Sequence, residues 1–150
     1  MKRVLLTGAS GFIGSEVLEY MLDNTDWTFV CICSWRHHGT PLNINPNPRV
    51  EVVTHDLSGP LPDLGHCDYI LNLASDSHVD RSISHPVEFI ENNVSSTLMM
   101  LEYARQHPPE IFIQFSTDEV FGAQEHAEWD VLLPSNPYAA SKASADAMVE

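Results

Sequence analysis

The chain has 150 residues, 43% of them apolar and 19% charged, which suits one globular domain with a core of its own. Its net charge of -14 argues against a nucleic-acid partner, because phosphate backbones are bound by clustered Lys and Arg. A small phosphorylated ligand stays open to it, since backbone N–H groups and a helix N-terminus can supply the local positive field.

Lys2-Arg3 before Val4-Leu5-Leu6 mimics a signal peptide, but the apolar run is too short and Gly8 interrupts it. No segment reaches the ~18 apolar residues of a membrane helix. The expectation is a cytoplasmic protein without a membrane partner. Three cysteines, an odd and small number, point to a reducing compartment and no disulfide framework. Cys31 and Cys33 alternate within an apolar run, so both thiols should share one strand face as ordinary buried groups. No metal site is expected, since zinc ligands are usually spaced more widely and come in larger sets. His37-His38 reads as part of a polar loop.

In chain order, Val4 to Thr7 is a strand that runs into a Gly-rich turn. Ile13, Val17, Leu18, Met21 and Leu22 then recur at helical spacing across 12–22. Trp27 to Cys33 is a second strand, and the Pro-, Asn- and Gly-rich stretch 36–49 is a loop. Val50 to Thr54 and Tyr69 to Leu73 are the third and fourth strands, joined by a connector over 58–65. Pro86 opens a long helix with Val87, Ile90, Val94, Leu98 and Leu101 as its expected apolar stripe, stopped by Pro108-Pro109. Ile111 to Phe115 is a fifth strand, and Asn136-Pro137 reads as a cap and first residue of a last helix. This alternation predicts an α/β fold, a parallel sheet covered on both faces. The helical pattern reaches Glu150 without a stop signal, so the expected domain, 1–150, is incomplete at its C-terminus.

The turn Thr7-Gly8-Ala9-Ser10-Gly11-Phe12-Ile13-Gly14 lies between the first strand and first helix. Gly8 permits the sharp turn, Gly11 lets backbone approach a pyrophosphate, and Gly14 lets the helix pack closely. With Ser10, Phe12 and Ile13 these are candidate cofactor contacts at a helix N-terminus. In dinucleotide-binding folds the second strand ends in an acidic residue that meets the adenosine ribose. Here it ends Cys33-Ser34-Trp35-Arg36, with no carboxylate. Cys33, Ser34 and Arg36 are therefore the candidates at the ribose. Without the carboxylate a 2′-phosphate meets less repulsion, so NADP becomes an alternative to NAD. Arg36 either pairs with that phosphate or is a solvated loop cation.

Tyr138 and Lys142 are four residues apart, on one face of the last helix. A nearby ammonium is expected to lower the phenol pKa from ~10 toward use as a base. Asp118 and Glu119 follow the fifth strand, at the strand ends where open α/β sheets place their sites. They read either as a paired acid and base or as a solvated acidic turn.

The spacing T-G-x-x-G-F-I-G resembles that of the extended short-chain dehydrogenase family, with its Rossmann-type doubly wound sheet. Within that family, Ser116 to Gly122, Ser77 to Ser82, Phe89 to Asn93 and Pro134 to Ser144 are similar to segments of the sugar-nucleotide 4,6-dehydratases, those acting on dTDP-glucose above all. Phe121 stands where Tyr is usual. The likeness runs from Lys2 to Glu150, is weakest between Cys31 and Arg49, and covers the amino-terminal half of such an enzyme, without its substrate-binding part.

The resemblance implies NAD as cofactor, Asp56 meeting the adenine amino group, and Leu57, Leu73 and Ala74 beside the cofactor along with Tyr138 and Lys142. It further implies a nucleotide-sugar substrate. Tyr138 takes the C4 hydroxyl proton, Thr117 bonds the same oxygen, Glu119 removes the C5 proton and Asp118 protonates the leaving C6 hydroxyl. Dimerisation would use the last helix and the helix after Pro86. The alternatives are an epimerase or decarboxylase of the same superfamily, or an inactive cofactor-binding fragment.

Overall fold

A computed structural model describes residues 1–35, 39–123 and 131–149. Five strands form one sheet: β1 (Arg3–Thr7), β2 (Thr28–Cys33), β3 (Val50–Thr54), β4 (Tyr69–Asn72) and β5 (Ile111–Gln114). The order is β3-β2-β1-β4-β5, and every pairing is parallel. The helices are α1 (Phe12–Asn24), α2 (Val79–Ser84), α3 (Pro86–Phe89), α4 (Ser95–Gln106) and α5 (Pro137–Val149). A π turn (Ile90–Val94) joins α3 to α4, and short 3-10 turns cover Pro41–Asn43 and Asp118–Phe121.

Alternation along the strands makes two cores. Val4, Leu6, Phe29, Cys31 and Cys33 point to the side covered by α1, against Val17, Leu18, Met21 and Leu22. Leu5, Val30, Ile32 and Ile70 point to the other side, against Met100 and Tyr103 of α4. Leu5 lies in register with Val30 on one side and Ile70 on the other. Each such aliphatic side chain contributes about 1.5–3 kcal/mol on leaving water. The central strands are thus covered on both faces, as the sequence predicts for a Rossmann-type sheet. The edge strands are less so: Val52 of β3 and Ile111 and Ile113 of β5 remain exposed.

The helix after Pro86 departs from the expected stripe. Val87, Ile90 and Leu98 face outward, 65%, 45% and 49% exposed, while Phe89, Asn93, Ser96, Thr97, Met100 and Tyr103 turn inward. The π turn adds a residue within the helix and so shifts its register. The inward face meets α5 and the loop after β4, where its partners are polar: Asn93 Nδ2 donates to Ser141 Oγ at 2.9 Å and to Asp76 O at 2.9 Å.

A polar rung crosses the C-terminal ends of three adjacent strands. Thr7 Oγ1 donates to Asn72 Oδ1 at 2.7 Å, and Asn72 Nδ2 donates to Gln114 Oε1 at 2.8 Å. The N–H groups of Leu73 and Ala74 each donate to Thr7 Oγ1 at 3.0 Å. These buried polar groups are satisfied by one another, and they fix the ends of β1, β4 and β5 where the chain switches direction across the sheet.

Candidate active site

A cleft of about 480 Å³ opens at those strand ends. Gly8, Ser10, Gly11, Phe12, Ile13, Gly14, Cys33, Ser34, Asp56, Leu57, Leu73, Ala74, Tyr138 and Lys142 all line it. Every cofactor-contact candidate from the sequence among the described residues is therefore on one concave surface. Arg36 and the pair His37-His38 lie outside the described residues.

The Gly-rich turn is built for close approach. Gly8 has φ +72°, and a Cβ there would meet Ala74 N at 2.9 Å. A Cβ on Gly14 would overlap Gly8 O and sit 2.7 Å from its carbonyl carbon. Gly11 precedes α1 without a side-chain capping bond, and the first turn of α1 carries no acidic residue. That leaves the positive end of a 13-residue helix directed at the cleft without a carboxylate beside it. The cradle fits a dinucleotide pyrophosphate.

At the end of β2, Cys33 is 1% exposed, and Ser10 nearby favours its charged form. Burial nevertheless pushes the Cys33 thiol up, and it pushes Cys31 up to about 12. The end of β2 thus carries a neutral thiol. Asp56 Oδ1 accepts from the N–H and hydroxyl of Ser58, at 3.0 and 2.9 Å, which sets the carboxylate at the cleft wall in a tight turn.

The other wall holds Tyr138 and Lys142, both buried. Phe89, fully buried, packs edge-on against the Tyr138 ring at 6.4 Å between centroids. The Thr117 hydroxyl lies close enough to the Tyr138 phenol to favour its ionised form. The expected lowering of the phenol pKa is not what this site produces. Burial holds Tyr138 above the ordinary range, aided by the charges of Glu119, Asp118 and Asp146, and outweighs the effect of Thr117. Lys142 directs its ammonium to Phe115 O, and burial lowers its pKa.

Thr117, Asp118 and Glu119 do not line the cleft but follow its lining residues Phe115 and Ser116; Asp118 and Glu119 lie on the rim turn Asp118–Phe121, in different surroundings. Asp118 is exposed, while Glu119 is half-buried and accepts from Asn136 Nδ2 at 2.8 Å. The same Asn136 caps α5, its Oδ1 accepting from Ala139 N–H at 2.8 Å. One side chain thus starts the helix of Tyr138 and steadies Glu119. Asn136→Ala is expected to cost about 1 kcal/mol of stability, while Asn136→Asp keeps the cap and loses the donor to Glu119. Thermal melts and rate measurements on the two variants should separate those effects.

The sequence reading missed Asp76, His78, Arg81, Asn92 and Ser116 as cleft-lining residues. Arg81 pairs with Glu88 and lies 3.8 Å from Asp76, whose Oδ2 accepts from Asn92 Nδ2 at 2.5 Å. All but Asp76 lie in segments that carry the resemblance, Ser77 to Ser82, Phe89 to Asn93 and Ser116 to Gly122, in which these residues were given no role. Among the described residues no group of three His, Cys, Asp or Glu is placed to hold a metal ion, and no helix is long and apolar enough to cross a membrane.

Comparison with known proteins agrees with this architecture. The chain is 36% identical over 155 residues to dTDP-glucose 4,6-dehydratase of Streptomyces antibioticus, covering 95% of this chain and 46% of that one. A solved dTDP-glucose 4,6-dehydratase from Streptomyces venezuelae, with NAD bound, superimposes with a TM-score of 0.90 at 33% identity, covering 97% of this chain and 49% of that one. UDP-N-acetylglucosamine 4-epimerase from Methanobrevibacter ruminantium gives 0.87 at 27% identity, covering 99% and 49%. The chain spans about half the length of the relatives it matches. Residues 5–150 match the family described as GDP-mannose 4,6 dehydratase, and the chain belongs to that family.

Proposed function

We propose that this chain is the cofactor-binding part, residues 1–150, of a nucleotide-sugar 4,6-dehydratase that converts a substrate like dTDP-glucose to its 4-keto-6-deoxy sugar. The observation that carries the reading is that Thr117, Asp118 and Glu119, which follow the cleft-lining Phe115 and Ser116, come close enough to shift the ionisation of Tyr138, itself on the cleft wall with Lys142. Oxidation at C4 alone, as in an epimerase, does not need the carboxylate pair.

Gly8 to Gly14, Cys33, Ser34, Asp56, Leu57, Leu73 and Ala74 would hold a nicotinamide dinucleotide, which supplies a reversible store for the substrate's C4 hydride. Tyr138 then accepts the C4 hydroxyl proton, with Thr117 bonded to the same oxygen. The raised phenol pKa is offset when a cationic ring enters the cleft, since a positive charge favours phenolate. With C4 a ketone, the C5 proton is acidic, and Glu119, steadied by Asn136, removes it. Asp118 gives its proton to the C6 hydroxyl, which leaves as water. Hydrogen from C4 would end on C6 while Glu119 returns a proton to C5, and the proton held by Tyr138 balances the one that Asp118 gave to the departing water.

The neutral Cys33 supports acceptance of NADP beside NAD, because no carboxylate stands there to repel a 2′-phosphate. The outward apolar side chains Ile83, Val87, Ile90 and Leu98 support a homodimer of the full-length protein through this face. Incubating the full-length protein with dTDP-glucose and NAD tests the function. The expected product is lighter by one water, with no net reduced cofactor. A product of unchanged mass would make the enzyme an epimerase instead.

A further inference from the structure

Three consecutive residues leaving β5 each engage a different turn of α5. Phe115 O accepts from Lys142 Nζ, Ser116 Oγ donates to Asp146 Oδ2, and the Thr117 hydroxyl comes close enough to Tyr138 to favour its ionised form. Tyr138, Lys142 and Asp146 are spaced by four and run along one side of the helix. Asp146 has no part in the chemistry above. It is half-buried, and its bond to Ser116 ties the helix turn after Lys142 to the segment leaving β5.

On the reading of Tyr138 and Lys142 given above, we propose that Asp146, anchored by Ser116, is a positioning residue that sets the alignment and the protonation balance of the Tyr138–Lys142 pair. Its carboxylate favours the ammonium of Lys142 and opposes the phenolate of Tyr138. The other charged side chains on elements packed against α5 are Asp80 and Arg81 of α2, Glu88 of α3, Glu91 of the π turn, Glu102 and Arg105 of α4, and Asp118 and Glu119 of the rim turn. Of these, Asp118 and Glu119 join Asp146 in opposing the phenolate. Arg81 is paired with Glu88, and Arg105 with Glu102.

Removing the Asp146 charge lets the phenol ionise at lower pH, and lets the ammonium lose its proton at lower pH as well. Asp146→Asn keeps an acceptor for Ser116, so the alignment survives while the charge goes. In the full-length protein, both limbs of the pH profile of kcat/KM should move to lower pH, by about half a unit or more. The Tyr138 phenolate band, taken as the ultraviolet titration difference from Tyr138→Phe, should move the same way. That titration needs no turnover, so its result stands apart from whether the nucleotide-sugar reading holds. Ser116→Ala, which loses the anchor but keeps the charge, should lower kcat with smaller movement of the limbs.

Limbs and phenolate titration of Asp146→Asn that coincide with the parent, alongside a lowered melting temperature, would overturn the proposal. Should the Asn variant fold poorly, Asp146→Glu decides, since it keeps the charge on a longer arm. Parent-like limbs with reduced kcat support the proposal, and limbs displaced as far as half a unit contradict it.

Discussion

Glu119→Gln in the full-length protein is expected to slow dehydration by about 10²–10⁴-fold, the usual contribution of a positioned general base. The amide is the same size and still offers an oxygen to Asn136 Nδ2, which lies 2.8 Å from Glu119 Oε2, so the rim should keep its shape. What is lost is a group able to take the C5 proton. Oxidation at C4 should continue, because Tyr138, Thr117 and Lys142 are untouched. The variant is then expected to accumulate reduced cofactor absorbance with little loss of water from the sugar. Stopped-flow absorbance with product mass measures both. Full-rate formation of the 4-keto-6-deoxy sugar would remove Glu119 from the role of base.

Gly14→Ala is expected to weaken cofactor binding substantially. The added Cβ has no flexible neighbour to displace: it meets Gly8 O, the Gly8 carbonyl carbon at 2.7 Å and Ala9 Cα at 3.0 Å, all of them backbone. Either the turn opens or the start of α1 moves away, and both spoil the cradle at the helix N-terminus. Overpacking of this kind costs about 1–3 kcal/mol in stability. A comparable loss in binding is about 10–100-fold in Kd for NAD. Gly11→Ala makes a gentler contact, 3.2 Å from Gly8 O, and should cost less stability. Calorimetry with NAD, paired with thermal melts, distinguishes the two; an unchanged Kd for Gly14→Ala would contradict the cradle.

The sheet was legible because its strands are short, apolar and punctuated. Val50–Thr54 stands as expected, and each of the others differs by one residue at one end. The Gly-rich turn was legible because three glycines between a strand and a helix have few other uses, and Asn136 was legible as a cap because Pro137 follows it. Periodicity misled over 87–101, where apolar spacing alone could not reveal the π turn or the polar partners on the buried side. Asn93 is 1% exposed there, buried by a network with Asp76 and Ser141 that only the tertiary fold brings together. Tyr138 shows the same limit in its electrostatics. Spacing by four implies an ammonium acting on the phenol, but Lys142 is drawn to Phe115 O, and burial sets the direction of the shift. Asp146 and Ser116, thirty residues apart, have no pattern in the sequence that joins them.

The central claim is an internal transfer of hydrogen from C4 to C6 by the residues gathered at Tyr138 and Glu119. The most direct measurement supplies full-length protein with dTDP-glucose carrying deuterium at C4 and locates the label in the product by NMR. Deuterium recovered on C6, with one water lost, is the predicted result. Label kept at C4 of an isomer, or lost to solvent, would contradict the account.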